Sequence, residues 1–198
     1  MPELIIAVEG IDGAGKSSAI NFLVGEYDKK IAIYKRTQKG GLIDKLVTCS
    51  FMRKHYMLQV PIYIFLSNIN FWKYKIQSNN KKIVIMDRCF LSNLCYFYPD
   101  ALNNKKLFNF VMFFEPPIFP QKIFILDVNP RTAQRRDIYK KDLKWLISTR
   151  NAYLNALSSK FLKKYEIEVI SGDLSINTKV QIIEDYIHGE IKNGNRQK

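Results

Sequence analysis

Residues 10–17, "GIDGAGKS", place two glycines around a four-residue spacer and follow them with a lysine and a hydroxyl. That spacing is the Walker A pattern, which cradles phosphates. Gly10, Gly13 and Gly15 let the backbone wrap closely, and with Asp12 and Ala14 they present N–H groups to the β-phosphate of a nucleoside triphosphate. Lys16 bridges the β- and γ-phosphates in such a loop. The Ser17 hydroxyl can ligate Mg²⁺, and Ser18 follows in the first helical turn. ATP with Mg²⁺ is therefore the expected donor.

A second chemical stretch is "IVIMDRCFLSNLCYF", residues 83–97. Asp87 ends an apolar run, where a carboxylate can hold Mg²⁺ through water, and Arg88 beside it can reach phosphates being joined. A third is "RTAQRRDIYKKDLK", residues 131–144. Arg131 and Arg135 share one helical face, with Arg136 and Lys140 on a neighbouring one. Phosphoryl transfer needs positive charge around the moving group, and the spacer of the phosphate loop holds no arginine. The segment 131–144 is expected to act as a lid, with Arg135 or Arg136 on the transferred phosphoryl.

These residues need a scaffold. Ile- and Val-rich runs at 4–9, 31–35, 82–87, 122–128 and 167–171 read as strands buried on both faces. Helix candidates lie between and after them, at 16–26, 42–52, 61–78, 91–98, 104–114, 130–139, 143–164 and 176–189. Asn129 can cap the helix that Pro130 begins, and "EPPIFPQ" (115–121) stops the one before it. The predicted fold is α/β: a P-loop NTPase-type, three-layer, five-stranded parallel sheet flanked by helices, with one domain over residues 1–198. Ligands should sit at the C-terminal edge of the strands.

The 198 residues are 47% apolar, enough for one sizeable core, and no apolar stretch reaches membrane-spanning length. Three cysteines (Cys49, Cys89, Cys95) are too few and scattered for a disulfide framework or a zinc site. A soluble, cytoplasmic protein is expected. The formal net charge of +13 suits a nucleotide enzyme but would attract any polyanion, so a nucleic-acid-stimulated P-loop ATPase is a rival reading. A P-loop protein that binds nucleotide without turnover is another. The closing "IKNGNRQK" is expected to fray.

The chain resembles the thymidylate kinases, within the nucleoside monophosphate kinases. "EGIDGAGKSS" is similar to their phosphate loop, and "DRCFLSNLCYF" to their Asp-Arg-Tyr-x-x-Ser-Asn/x-x-Ala-Tyr segment. "FILDVNPRTAQRR" resembles their fourth strand and lid helix, and "TRNAYLNAL" the helix after the lid. The resemblance implies transfer of the ATP γ-phosphate to dTMP, giving dTDP and ADP. It implies that Asp12 binds the acceptor's 3′-hydroxyl, and that Arg88 and Arg36 hold the acceptor's phosphate. Phe65 would stack on the base, Asn93 would read its edge beside Ser92, and Tyr96 would crowd the 2′ position. It also implies a homodimer, for which the apolar segment 60–72 could serve. Departures concern the base. No arginine lies between Arg53 and Arg88, where the family has one after the stacking Phe. Cys89 replaces the Tyr of the triplet, Phe97 stands where many bacterial members have Gln, and the lid is shorter. A related kinase acting on another deoxynucleotide or deoxynucleoside is the alternative.

Overall fold

In a computed structural model, residues 4–27, 31–35, 68–69, 82–137 and 141–196 are described. Five parallel strands are present: β1 (Leu4–Glu9), β2 (Ile31–Lys35), β3 (Ile83–Asp87), β4 (Lys122–Asp127) and β5 (Glu166–Ser171). They lie in the order β2-β3-β1-β4-β5. Val8 pairs with Asp87 on one side and Phe124 on the other, so the ends of β1, β3 and β4 converge. The three central strands are almost wholly buried, which is why they read as continuous apolar runs rather than alternating ones.

The helices, numbered among the described residues, are α1 (Lys16–Tyr27), α2 (Phe90–Phe97), α3 (Lys105–Phe114), α4 (Pro130–Arg136), α5 (Leu143–Ala156) and α6 (Ile176–Arg196). A 3₁₀ turn at Pro99–Leu102 joins α2 to α3. Helix α1 packs on α6, α2 on α3 and α5, and α4 on α5. The Asn129 side chain accepts from the Arg131 N–H at 2.9 Å and Pro130 opens α4, as the sequence predicts.

Three helix ends differ from the sequence reading by about three residues or more. The helix expected over 143–164 stops at Ala156. There Ser158 Oγ donates to the Asn155 carbonyl and Ser159 Oγ to the Leu102 carbonyl, and the chain leaves in turns. Serine hydroxyls compete with the helical ladder in this way. Helix α4 ends at Arg136, with Asp137 in extended conformation as its cap. The last helix runs on through Gly189 and Gly194 to Arg196 instead of ending at 189; a glycine in a helix costs only about 1 kcal/mol and does not by itself stop one. The helices expected at 42–52 and 61–78 lie outside the described residues, apart from helical 68–69.

Candidate active site

The phosphate loop, residues 10–15, connects β1 to α1 at the C-terminal edge of the sheet. Gly10 has φ +134°, and a Cβ there would meet the Leu126 carbonyl oxygen of β4 at 2.6 Å. Gly13 has φ +81°, and a Cβ there would meet the Ala133 carbonyl oxygen of α4 at 2.2 Å. The loop is thus clamped between the end of β4 and the first turns of α4, which fixes where its N–H groups point. Ser17 and Ser18 are exposed in the first turn of α1.

Lys16 is buried and curls back over the loop, donating to the carbonyls of Gly10 (2.9 Å) and Ile11 (2.8 Å). Burial, reinforced by the Arg88 charge and only partly offset by Asp12, pulls its ammonium down to about 7. A bound triphosphate brings negative charge to this nitrogen and raises it again. At about pH 8 the free protein then lacks a proton that its complex holds. Nucleotide binding is expected to take up nearly one proton there, and affinity to fall as pH rises from about 7 to about 9. Calorimetric titration at about pH 8 in buffers of different ionisation enthalpy checks this; enthalpies independent of buffer would contradict it.

Arg88 follows β3 with φ 72°, a left-handed conformation unusual outside glycine. It turns the side chain back toward the phosphate loop, where it pairs with Asp12 and donates to Gly10 O (3.3 Å) and Ser92 Oγ (3.2 Å). Its guanidinium lies 4.9 Å from the centre of the Tyr96 ring. Asp12 also accepts from Lys141 Nζ at 2.5 Å. Burial alone would raise the Asp12 carboxyl. The charges of Arg88, Lys16 and Lys141 outweigh it and hold the group well below the usual carboxylate range. Asp87 is partly buried at the end of β3.

Of the residues singled out in the sequence, Asp12, Lys16, Arg88, Ser92 and Tyr96 come together around the Gly10 carbonyl and the side chains that bond it. Asn93 is fully buried on α2, its Nδ2 donating to Glu115 Oε1 at 2.6 Å, and its Oδ1 has no partner among the described residues. Arg135 and Arg136 are exposed in the last turn of α4. Arg136 lies close enough to Lys179 of α6 to lower its ammonium, after burial. Arg36 and Phe65 lie outside the described residues.

Glu9, the Asp127–Arg150 pair and Lys141 were not singled out in the sequence reading. Glu9, the last residue of β1, is fully buried and accepts from the N–H groups of Cys89 (2.7 Å) and Ser92 (3.2 Å) and the hydroxyls of Ser92 (2.7 Å) and Tyr153 (2.8 Å). It ties the strand entering the phosphate loop to the turn carrying Arg88. At the end of β4, Asp127 accepts a two-pronged bond from Arg150 at 2.6 and 2.7 Å. Lys141 is the third. A carboxylate closing an otherwise apolar strand was a usable sign for Glu9; Lys141 lies in the cationic segment 131–144 and Arg150 in "TRNAYLNAL", but nothing in either stretch distinguished the residue itself.

A five-stranded parallel sheet with this loop at its switch edge is the scaffold of the P-loop phosphotransferases. A family model described as "Thymidylate kinase" matches residues 8–183, and the chain belongs to that family. A thymidylate kinase of Campylobacter lari is 28% identical over 200 residues, spanning 93% of this chain and all of the relative. Among solved structures, a thymidylate kinase from Ehrlichia chaffeensis superposes with TM-score 0.64 at 21% identity, covering 95% of this chain and 100% of that one. A deoxyadenosine kinase from M. mycoides with bound dATP superposes with TM-score 0.68 at 15% identity, covering 93% and 100%. At those identities the two structures speak for the fold.

Proposed function

We propose that the protein transfers the γ-phosphate of ATP to dTMP, giving dTDP and ADP. The observation that carries this is Arg88. It is a cation set beside the phosphate loop rather than within it, bonded to Asp12, Ser92 and the Gly10 carbonyl. A fixed cation at that point can hold the phosphate of a second nucleotide in line with the donor's γ-phosphate. Lys16 and the loop N–H groups then hold the donor. Asp12 accepts the acceptor's 3′-hydroxyl, Tyr96 packs against its sugar, and Arg135 or Arg136 supplies charge to the moving phosphoryl. Arg36 would add a cation on the acceptor's phosphate and Phe65 a stacking surface for its base.

Asn93 supports a pyrimidine with an imide N–H. Its Nδ2 donates one hydrogen bond to Glu115, which orients the amide and leaves the buried Oδ1, unpartnered among the described residues, to accept, and thymine N3–H is a donor. Ser17 and Asp87 offer only hard oxygen donors, which suits Mg²⁺ held with the donor's phosphates and water. Held there, such an ion would neutralise charge on the donor's phosphates.

Two further readings belong here. A homodimer is supported by the exposed aromatic face of α3, where Phe110, Phe113 and Phe114 meet edge to face in solvent. A cytoplasmic location is compatible with the described residues, no helix of which is long and apolar enough to cross a membrane.

The test is ADP release from ATP and Mg²⁺ with dTMP, dUMP, dCMP, dGMP, UMP, thymidine or single-stranded DNA, with product analysis. Release driven by dTMP, with dTDP formed, is the expected result. A different preferred acceptor would overturn the thymine assignment, and stimulation by DNA alone would overturn the kinase reading.

A further inference from the structure

Lys141 sits at the start of α5, and its backbone is held from two sides. Its carbonyl accepts from Gln134 Nε2 of α4 at 2.9 Å, and the next residue, Asp142, caps α5 by accepting from the Lys144 N–H. Its side chain runs over the Trp145 ring, with Nζ 4.3 Å from the ring centre, and ends 2.5 Å from Asp12 Oδ2. Trp145 in turn meets the Tyr96 ring edge to face at 5.0 Å, and Tyr96 lies under Arg88. Lys141 and Arg88 therefore converge on the two oxygens of one carboxylate, from opposite elements of the fold.

We propose that Lys141 is a substrate-contacting residue which, with Arg88, clamps the phosphate of the acceptor nucleotide, the phosphate displacing Asp12 from the two cations. The proposal rests on the kinase reading above and adds a residue to it. One carboxylate between two cations leaves a net positive charge. A nucleoside monophosphate brings nearly two negative charges and three acceptor oxygens, a better partner for two cations than one shared carboxylate. Once both cations turn to the phosphate, Asp12 is released to accept the acceptor's hydroxyl. Binding of the phosphate and readiness of Asp12 are thereby coupled. Of the cations in segment 131–144, Arg135 and Arg136 are solvent-exposed and Arg136 lies toward Lys179. Lys141 is bonded to the phosphate loop itself.

The experiment compares Lys141→Met, which keeps the aliphatic stem over Trp145, and Lys141→Arg with the unsubstituted protein. KM is measured separately for dTMP and ATP, with thymidine as a competitive inhibitor and the thermal midpoint as a control on folding. Lys141→Met is expected to raise the KM for dTMP roughly tenfold while the KM for ATP and the inhibition constant of thymidine change less than about twofold. Lys141→Arg should recover most of the loss. An unchanged KM for dTMP overturns the proposal. So does an equal loss for thymidine, which would place the contact on the sugar, or a lowered midpoint without a kinetic change. In a Trp72→Phe background, Trp145 fluorescence should respond to nucleoside monophosphates and not to their nucleosides. That comparison still decides the matter if the unsubstituted protein does not phosphorylate dTMP, an outcome that counts against the function reading alone.

Discussion

Arg88→Met is expected to lower kcat/KM for the acceptor about 1000-fold, roughly 4 kcal/mol of transition-state stabilisation at about 1.4 kcal/mol per tenfold. Three consequences add up. The side chain loses its bonds to Asp12, Gly10 O and Ser92, and the acceptor's phosphate loses its fixed cation. The Asp12 carboxylate keeps Lys141 as its counter-charge, so the two remain locked together instead of opening for substrate. Lys16 also loses a neighbouring positive charge that holds its ammonium down. The proton uptake expected on ATP binding at about pH 8 should therefore shrink in the variant, while ATP affinity changes far less than acceptor turnover. Arg88→Gly separates backbone from side chain. Glycine accepts the φ of 72° without strain, worth about 1 kcal/mol, yet it should be as inactive as methionine. Steady-state kinetics with both substrates varied, beside thermal midpoints, check this. A Gly variant with near-native turnover would mean that the cation is dispensable.

The sequence announced the three central strands because they are buried on both faces, so each is an apolar run; the edge strands β2 and β5, expected to be buried likewise, are partly exposed, and β5 carries Glu168 within it. It announced the phosphate loop because steric limits at Gly10 and Gly13 leave no other residue that fits against Leu126 and Ala133. The site's second half was less legible. Lys141 was one of several cations in the segment 131–144 expected to act as a lid, and only the packing of α4 on α5 shows that it is the one brought to Asp12. Asp127 and Arg150 are 23 residues apart, on different elements, and pair because α5, packed on α4, brings Arg150 to the end of β4. Glu115 read as the punctuation before two prolines, whereas its carboxylate orients Asn93. Local pattern carries strand, turn and loop chemistry. Pairings across the fold depend on which side chains the sheet order brings to one edge, and that order is not written in any single segment.

Glu9 tests this long-range layer most directly. Its carboxylate has no exposure to solvent and accepts four hydrogen bonds, three from residues 89–92 and one from Tyr153 on α5. Glu9→Gln keeps the shape and replaces one acceptor oxygen by an N–H₂ donor. At least one buried donor then faces another donor, at about 1–3 kcal/mol for each group left unsatisfied. A total near 3 kcal/mol is expected, which for a chain of this size lowers the thermal midpoint by about 6–12 °C. Tyr153→Phe removes one donor and leaves the carboxylate three, so about 1 kcal/mol is expected there. The Gln variant should also lose turnover beyond its loss of stability, measured well below its midpoint, because the turn that places Arg88 is no longer pinned to β1. Tyr153→Phe should retain most activity. If Glu9→Gln melted within about 2 °C of the unsubstituted protein and kept its kcat, the carboxylate would be neither holding the strand end nor placing Arg88. The positive φ at Arg88 would then have to be maintained by α2 alone.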